Sequence, residues 1–285
     1  MRTRDVAIVG IENSHAEEII RYLNVEQQTG VRVAALVAGE EQRTAELAAL
    51  GGISRIVEEP TDLLGTVDAL IVTSRDGALH RALAVPFLEA GTPVWVDKPL
   101  AASVADAEQI IAAAARGRTA LTSSSALRWV ADTDALADGI GGIGELQAVT
   151  VTGPADAASP YSGIFFYGIH IADVAQRLVP GDPEDIDVQR LPGGVVARYR
   201  VGEVLVTLEF IRPDAHGQVP FRATAVGAHG VLSRDIVLGA DYVQPGVDAF
   251  ARMLETGERP IPDAQLLAPI RVLEQVSTAV SIAVP

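Results

Sequence analysis

Short apolar runs alternate with amphipathic stretches along the first 122 residues of the chain. Apolar runs of strand length occur at 5–10, 31–39, 67–74, 94–96 and 119–123. The segments between them have a helical spacing of apolar residues, over 15–23, 41–50, 77–90 and 103–116. Continuous apolar strands that alternate with helices are typical of a parallel sheet covered on both faces. We therefore predict an α/β fold that begins with a Rossmann-like, doubly wound parallel sheet over residues 1–122.

The pattern changes after about residue 139. Strand-like segments with alternating apolar and polar positions occur at 145–153, 196–201, 204–211, 221–227 and 231–238. Helices are predicted at 164–178, at 246–256 and from Asp263 to about Ile282. Alternation of this kind is typical of a sheet with one covered face. Residues 123–285 are therefore predicted to form a second, α+β domain with an open, mostly antiparallel sheet.

Polar residues follow the predicted parallel strands, at the sheet edge where such folds bind their ligands. These strand ends carry residues 10–15, 38–40, 73–76, 97–99 and 123–125. After the first strand, Gly10 stands alone where a dinucleotide-binding turn usually has three glycines. Ser14 and Glu17 have the spacing of a capping box, which predicts Ser14 as the residue that caps the following helix.

The end of the second strand also departs from the usual dinucleotide-binding pattern. An acid at this point would hold the ribose hydroxyls, but the chain has Ala38 and Gly39 before Glu40. No arginine stands directly beside them to prefer a 2′-phosphate, although Arg43 could reach this position from the next helix. The sequence therefore leaves the choice between NAD and NADP open.

Lys98 is the strongest candidate for chemistry. It is the only lysine in the chain, and it follows the apolar strand 94–96 and Asp97 and precedes Pro99. An ammonium is a compact charge with a tunable pKa, whereas a guanidinium is a planar fork that stays protonated. All other Lys or Arg positions of the chain are arginine. The retention of one lysine at a strand end therefore favours a catalytic role for Lys98 over chance survival.

Composition excludes several classes of function. The chain has 285 residues, enough for two domains, and no apolar run approaches the length of a membrane span. Its net charge of −15 argues against a nucleic-acid surface. The lack of cysteine excludes disulfides and thiolate metal sites, and we predict no metal site. No signal peptide is evident, and we expect a cytoplasmic protein that binds neither nucleic acid nor membrane.

Three stretches of the chain resemble the glucose–fructose oxidoreductase, inositol dehydrogenase and MocA (Gfo/Idh/MocA) family. They are VDALIVTSRDGALHRALAVPFLEAGTPVWVDKPLAAS, GIHIADVAQRL and DAFARMLETGERPIPDAQLLAPIRVLEQV. The resemblance implies that the first domain binds NAD or NADP. It also implies that the second domain closes a pocket for a carbohydrate-like substrate and carries the surface where subunits meet. We expect a homodimer or homotetramer, formed through an apolar face of the second sheet.

The resemblance also implies roles for individual residues. Lys98 would hydrogen-bond the reacting hydroxyl and steady the alkoxide, His170 would act as acid or base, and Asp97 would contact the nicotinamide-side ribose. Many family members have an aspartate where this chain has Phe166. Tyr167 and Tyr161 are the nearby groups that could carry a proton instead, although an unperturbed tyrosine is a poor base at neutral pH.

The predicted site residues fall into two sets. The catalytic candidates are Lys98, His170 and Tyr167. The segment SSSALRW, with Arg128 and Trp129, would line the pocket, and we expect His80 to hold its loop by hydrogen bonding. The cofactor-binding candidates are Gly10, Asn13, Ser14, His15, Ala38, Thr73, Ser74, Asp76, His80, Asp97, Pro99 and Arg128.

Two hypotheses of function follow. The first is an NAD(P)-dependent oxidoreductase that acts on a hydroxyl or ketone of a sugar, a cyclitol or a similar substrate. The second is a binding or regulatory relative that keeps the fold but has lost dehydrogenase chemistry, since the family includes a transcriptional repressor of this kind. The reduced glycine turn and Phe166 favour the second hypothesis, whereas the retained Lys98 favours the first.

Overall fold

The computed structural model describes residues 2–27, 29–215 and 218–281. Its strands are β1 Arg4–Val9, β2 Val31–Val37, β3 Arg55–Val57, β4 Ala69–Val72, β5 Val94–Asp97, β6 Leu121–Ser124, β7 Leu146–Pro154, β8 Glu184–Leu191, β9 Gly194–Val201, β10 Val204–Ile211, β11 Phe221–Gly227 and β12 Gly230–Ile236. Its helices are α1 Ser14–Ile20, α2 Glu41–Gly51, α3 His80–Glu89, α4 Val104–Gly117, α5 Ala131–Gly139, α6 Phe165–Leu178, α7 Gln244–Thr256 and α8 Asp263–Ser281. The end predicted for the last helix, Ile282, lies outside the described residues.

The chain divides into two compact units. The first comprises residues up to Ala101, 105–124 and 243–262, and the second comprises residues 102–104, 125–242 and those from Asp263 onward. The predicted boundary after residue 122 lies two residues before the division at Ser124. Residues 243–262 belong to the first unit, whereas they were predicted to lie in the second domain.

A six-stranded parallel sheet forms the centre of the first unit. Its strand order is β3-β2-β1-β4-β5-β6. Strands β1, β4 and β5 are buried along most of their length, as their continuous apolar sequences predict. The predicted parallel, Rossmann-like sheet is confirmed. Strand β3 was not predicted, because three partly exposed residues give no apolar run.

Helix α7 packs into the core of the first unit. Val247, Phe250 and Met253 are at most 1% exposed and belong to the same apolar cluster as the residues of β1 and β2. The ring of Phe250 lies 5.5 Å from that of Trp95 on β5. The helix was predicted, but its partner was not, because an apolar stripe along a helix does not say which surface it covers.

A six-stranded mixed sheet forms the second unit, in the order β12-β11-β7-β10-β9-β8. The β7–β10 pair is parallel and the other pairs are antiparallel, which confirms the predicted open, mostly antiparallel sheet. Val206, Leu208 and Phe210 of β10 are fully buried on one face. Helix α5 and strand β8 were not predicted.

The centre of the opposite face of this sheet is polar. In β10, Thr207 and Glu209 lie on this face between Leu205 and Ile211, and the carboxylate of Glu209 accepts a hydrogen bond of 2.6 Å from Thr152 of β7. Exposed apolar residues occur towards the strand ends, such as Leu205 and Val231 of β12. The expected leftover apolar face is therefore limited to these ends, because the central outward positions alternate with the buried ones and hold mostly threonine and charged residues. No helix in the described part of the chain is long and apolar enough to cross a membrane.

Candidate functional site

Gly10 lies where the strand order of the first sheet reverses, between β1 and β4. Its φ is +83°, and a Cβ at this position would lie 2.3 Å from the backbone nitrogen of Ser74, so only glycine fits. The hydroxyl of Thr73 donates a hydrogen bond of 2.7 Å to the carbonyl of Gly10. The loops after β1 and β4 are therefore in direct contact at the point where dinucleotides bind in sheets of this order.

Asn13, His15 and Asp97 form a connected polar group in the first unit. The side chain of Asn13 accepts a hydrogen bond of 2.7 Å from the backbone N–H of His15 and donates one of 3.2 Å to Asp97. Nδ1 of His15 lies 2.7 Å from the same carboxylate oxygen of Asp97. Asn13 therefore caps α1, and the prediction of Ser14 as the capping residue is wrong. The partner expected for Ser14, Glu17, binds Arg43 instead.

The pKa values of Asp97 and Lys98 are shifted by burial and by each other. Burial acts to raise the pKa of Asp97, but the charge and hydrogen bond of His15, together with Lys98, outweigh it and hold that pKa at about 2. Burial lowers the pKa of Lys98, an effect that Asp97 opposes and Arg75 increases. Lys98 is only 5% exposed. A carboxylate that stays ionised thus stands beside a desolvated ammonium at the end of β5.

His80 is fully buried and connects two of the loops at the sheet edge. Nδ1 lies 2.7 Å from the carbonyl oxygen of Pro99, and Nε2 lies 3.0 Å from that of Ser74. Burial lowers the pKa of His80, whereas the two carbonyl contacts raise it, and burial is the larger effect. The Lys98–Pro99 peptide bond is cis. His80 therefore holds the loop after β4 against the loop that carries Lys98, from inside the protein.

The remaining candidates of the first unit occupy different environments. Ser14 is exposed at the start of α1, Ala38 is half-buried after β2, and Asp76 caps a short helical turn by accepting a hydrogen bond from Ala78. The hydroxyl of Ser74 is buried and has no hydrogen-bond partner among the described residues.

Glu40 and Arg43 are both engaged within the first unit. Glu40 caps α2 by accepting from the N–H groups of Gln42 and Arg43. The guanidinium of Arg43 donates to the carbonyls of Ile11 and Asn13, at 3.3 and 3.4 Å, and pairs with Glu17 at 2.9 Å. Arg43 therefore braces the turn after β1, and Glu40 stabilises the start of α2.

His170 and Asp173 lie one turn apart on α6, and both contact Ser125. Nδ1 of His170 is 2.6 Å from the Ser125 hydroxyl oxygen, and the Asp173 carboxylate accepts a hydrogen bond of 2.7 Å from the Ser125 backbone N–H. Arg128 donates to the other carboxylate oxygen of Asp173 at 2.7 Å, and to Gln265 at 2.8 Å. Arg128 is thus part of a buried ion pair in the second unit.

The hydrogen bond to Ser125 is linked to the tautomer of His170. The buried Ser125 oxygen accepts a hydrogen bond of 3.1 Å from the N–H of Leu127 and lies 2.6 Å from Nδ1 of His170. A donation from the Ser125 hydroxyl to Nδ1 places the proton of the neutral imidazole on Nε2, and a donation from Nδ1 to Ser125 places it on Nδ1. The sequence prediction named the segment containing Ser125 but not this residue.

An aromatic cluster surrounds His170. The ring centroids of Tyr167 and Phe221 lie 5.5 and 5.6 Å from that of His170. Phe166 lies 5.1 Å from Tyr167 and 4.9 Å from Tyr161. Tyr167 is 45% exposed. Phe166 stands at the position where the resemblance to the Gfo/Idh/MocA family implies an aspartate in many members. This side of α6 is therefore apolar in this chain.

Comparison with protein families gives a match over the first unit. Residues 4–124 match the model described as an oxidoreductase family with an NAD-binding Rossmann fold, GFO_IDH_MocA. Over these residues the chain is similar to the Gfo/Idh/MocA oxidoreductase family. The resemblance inferred from the sequence is thereby confirmed, and the strand order of the first sheet agrees with it.

Curated relatives of this chain are enzymes. It is 42% identical over 93 residues to inositol 2-dehydrogenase 1 of Saccharopolyspora erythraea, an alignment that covers 31% of this chain and 27% of the relative. It is 28% identical over 241 residues to the 1,5-anhydro-D-fructose reductase of Ensifer adhaerens, covering 80% of this chain and 65% of the relative. Both alignments span less than two thirds of the relatives' own length.

A solved structure shares the fold of nearly the whole chain. It is an oxidoreductase from Agrobacterium radiobacter in complex with NAD+, L-tartaric acid and magnesium. Its TM-score is 0.81 at 16% identity, over 97% of this chain and 96% of that one. This similarity establishes the fold.

Proposed function

We propose that this protein is an NAD(P)-dependent oxidoreductase that transfers a hydride between nicotinamide and a hydroxyl or ketone carbon of a sugar- or cyclitol-like substrate. The observation that carries the proposal is Lys98, the only lysine of the chain, desolvated beside an ionised Asp97 at the end of β5. The names of the curated relatives, inositol dehydrogenase and anhydrofructose reductase, support the substrate class.

The residues at the strand ends fit a bound dinucleotide. Gly10 permits close approach to the backbone at the reversal of strand order, and the buried hydroxyl of Ser74 is a polar group for which a ligand would provide a partner. Asn13 and His15, joined to Asp97, would keep the first turn in place. The nicotinamide, when bound, supplies or accepts the hydride.

Lys98 would act on the oxygen of the reacting carbon. An alcohol that loses a hydride develops its C=O bond as its proton leaves, and a ketone that gains a hydride passes through an alkoxide. A buried ammonium that donates a hydrogen bond to this oxygen stabilises the negative charge more than it would in water. The lowered pKa of Lys98 also eases proton exchange with the alcohol.

His170 would provide the proton in the reduction direction. A neutral ring that donated from Nε2 would become an imidazolate, so the donating form is the imidazolium. It gives its Nε2 proton to the alkoxide and keeps the Nδ1 proton, which the Ser125 oxygen accepts. The reverse transfer, from the substrate hydroxyl to Nε2 of the neutral ring, serves oxidation. Tyr167, whose ring centroid lies 5.5 Å from that of His170, is a further hydroxyl beside this site.

A binding or regulatory function is the alternative. It is favoured by Phe166, since the ring of His170 has aromatic neighbours and a serine partner rather than a carboxylate at Nδ1. On this alternative the first unit binds a dinucleotide and no hydride transfer follows. The cytoplasmic location predicted from the sequence is compatible with both functions and stays a prediction.

Two measurements test the proposal. The protein is first titrated with NADH and with NADPH while the fluorescence of Trp95 and Trp129 is followed, and saturable binding of one of them is expected. Turnover is then measured on a panel of polyols, keto-sugars and inosones for wild type, Lys98→Met and Lys98→Arg. Both variants should lose about 10² to 10³ in kcat while they retain dinucleotide binding.

The outcomes separate the two functions. Near wild-type turnover in Lys98→Met would refute the role of Lys98. Tight dinucleotide binding without turnover on any member of the panel would favour the regulatory alternative, and no binding of either dinucleotide would exclude the oxidoreductase. A far-ultraviolet circular dichroism spectrum of each variant serves as the control for folding.

A further inference from the structure

A cavity next to His170 in the second unit differs from a site built for a bare polyol. Its volume is about 740 Å³, within the range of small-molecule sites. Its lining includes Tyr161, Phe166, Tyr167 and Phe221 and three prolines. Two of these rings, Tyr167 and Phe221, also contact His170, so that the cavity begins at the proposed proton donor.

The cavity is mainly apolar and has no cationic side chain among its described lining residues. Its polar side chains are Asp156, Ser159, Gln218 and the hydroxyls of Tyr161 and Tyr167. One carboxylate oxygen of Asp156 accepts a hydrogen bond of 2.9 Å from the N–H of Ala158. Ser159 likewise accepts from the backbone of Tyr161 at 3.3 Å. A sugar ring exposes several hydroxyls that lose water on binding and need partners, and a phosphate needs cationic groups or clustered N–H donors.

The rings are available to a ligand rather than sealed into the core. Phe166, Tyr161 and Phe221 are half-buried, and Tyr167 and Leu238 are 45% and 42% exposed. Partly exposed aromatic rings around a ligand-sized cavity gain free energy when an apolar ring covers them, through burial of area and stacking.

We propose that the substrate carries an apolar ring, aromatic or alicyclic, attached to the sugar- or cyclitol-like part that reacts, and that this ring occupies the cavity. The inference rests on the proposed function, because it takes His170 as the residue beside the reacting carbon. It narrows the substrate from free polyols, phosphorylated sugars and sugar nucleotides to uncharged glycosides or ethers of a ring compound.

The test compares two probes that share a sugar and differ in the ring. The probes are 4-methylumbelliferyl β-D-glucopyranoside and methyl β-D-glucopyranoside, with binding measured by calorimetry and by saturation-transfer NMR on the protein without cofactor. The aryl glycoside should bind at least about tenfold more tightly, and its coumarin protons should receive the strongest saturation. Phe166→Ala and Tyr161→Ala should remove most of this preference.

Leu205→Ala is the matched control, since Leu205 is a 44% exposed apolar residue of the same unit outside the cavity. It should keep the full ring preference. Equal affinity for the two probes, no binding of the aryl glycoside at its solubility limit, or an unchanged preference in Phe166→Ala would overturn the inference. So would a light-scattering mass that falls in Phe166→Ala while ring binding does not change, because the cavity would then be a contact between copies of the chain.

The result is independent of the test of the proposed function. Ring preference is measured without cofactor and without turnover. If no dinucleotide binds but the ring preference is present, the oxidoreductase proposal fails and the cavity remains a ring-binding site. If bare polyols turn over and no ring preference is found, the oxidoreductase proposal stands and only this inference fails.

Discussion

At the scale of single residues, the charge of Asp97 and the hydrogen bond of His170 depend on residues that are distant in the sequence. Asp97 is ionised because His15, 82 residues away, contacts its carboxylate at 2.7 Å. Nδ1 of His170 shares a hydrogen bond of 2.6 Å with the hydroxyl of Ser125, 45 residues away. Both arrangements produce measurable effects that are independent of the identity of the substrate.

Replacement of Ser125 should change which ring nitrogen of His170 carries the proton. In Ser125→Ala the hydrogen-bond partner of Nδ1 is lost, and the imidazole proton is expected to distribute between the two nitrogens. We expect roughly a tenfold loss of kcat with unchanged NADH binding. Two-bond 1H–15N correlation spectra, with the His170→Gln spectrum for assignment, should show one predominant tautomer in wild type and a mixture in Ser125→Ala.

Ser125→Cys is the conservative control, because the thiol is close in size and a weaker donor. It should retain more activity than Ser125→Ala, and the pH dependence of kcat should change in the alanine variant more than in the cysteine variant. A wild-type spectrum with the same mixture as Ser125→Ala would contradict this role of Ser125.

Asp97 should make stability depend on acid pH. Its pKa in the folded chain, about 2, is below its ordinary value of 3.8, so the ionised form favours folding. This contribution, about 2 kcal/mol, is present above pH 4 and is lost as the pH falls from about 4 to about 2. In urea unfolding, Asp97→Asn should be less stable than wild type at neutral pH, with a difference that shrinks over that window.

Asp62→Asn is the matched control for this experiment, since Asp62 is an exposed aspartate of the same unit. Its unfolding free energy should follow that of wild type at every pH. If the difference between wild type and Asp97→Asn is constant from pH 6 to pH 2, the pairing of Asp97 with His15 does not stabilise the fold.

At the scale of elements, helix α7 is the part whose place was not apparent from its sequence. Its buried residues belong to the core of the first unit, although about 120 residues separate it from β6. The sequence predicted the helix over 246–256, and the structure confirms it at Gln244–Thr256. The surface that this face covers was set by the path of the chain, which returns to the first unit after the second sheet.

Phe250→Ala tests this placement. The ring is fully buried and lies against Trp95, so its removal should lower the free energy of unfolding by about 3 to 5 kcal/mol. Urea unfolding followed by Trp95 fluorescence in a Trp129→Phe background reports on the first unit. The exposed residue Arg252 of the same helix provides the control, and Arg252→Ala should change stability by less than about 0.5 kcal/mol. Equal effects of the two variants would mean that α7 adds nothing to this core.

At the scale of the whole molecule, the homodimer or homotetramer expected from the sequence stays a prediction. The centre of the outer face of the second sheet is polar, so an association through it would depend on hydrogen bonds and ion pairs. Salt screens such contacts. Light scattering should therefore give the mass of two or four chains at low salt and a lower mass at high salt. The mass of one chain under both conditions would contradict the prediction.

The sequence by itself determined the fold class, the two sheets, the family of the first unit and the choice of Lys98 and His170 as candidates. These depend on local periodicity and on residue types at strand ends, which are properties of short stretches of chain. A capping residue was predicted one position too late, at Ser14, because Asn13 and Ser14 both suit that role and contact with Asp97 decided between them.

Only the tertiary structure decided the features that depend on residues distant in sequence. These are the core contacts of α7, the polar centre of the outer face of the second sheet, the partners of Asp97, the serine that orients His170 and the aromatic cavity beside it. A side chain's pKa, tautomer and exposure are set by whatever the folded chain brings against it. That information is spread over pairs of residues tens of positions apart, and no local pattern contains it.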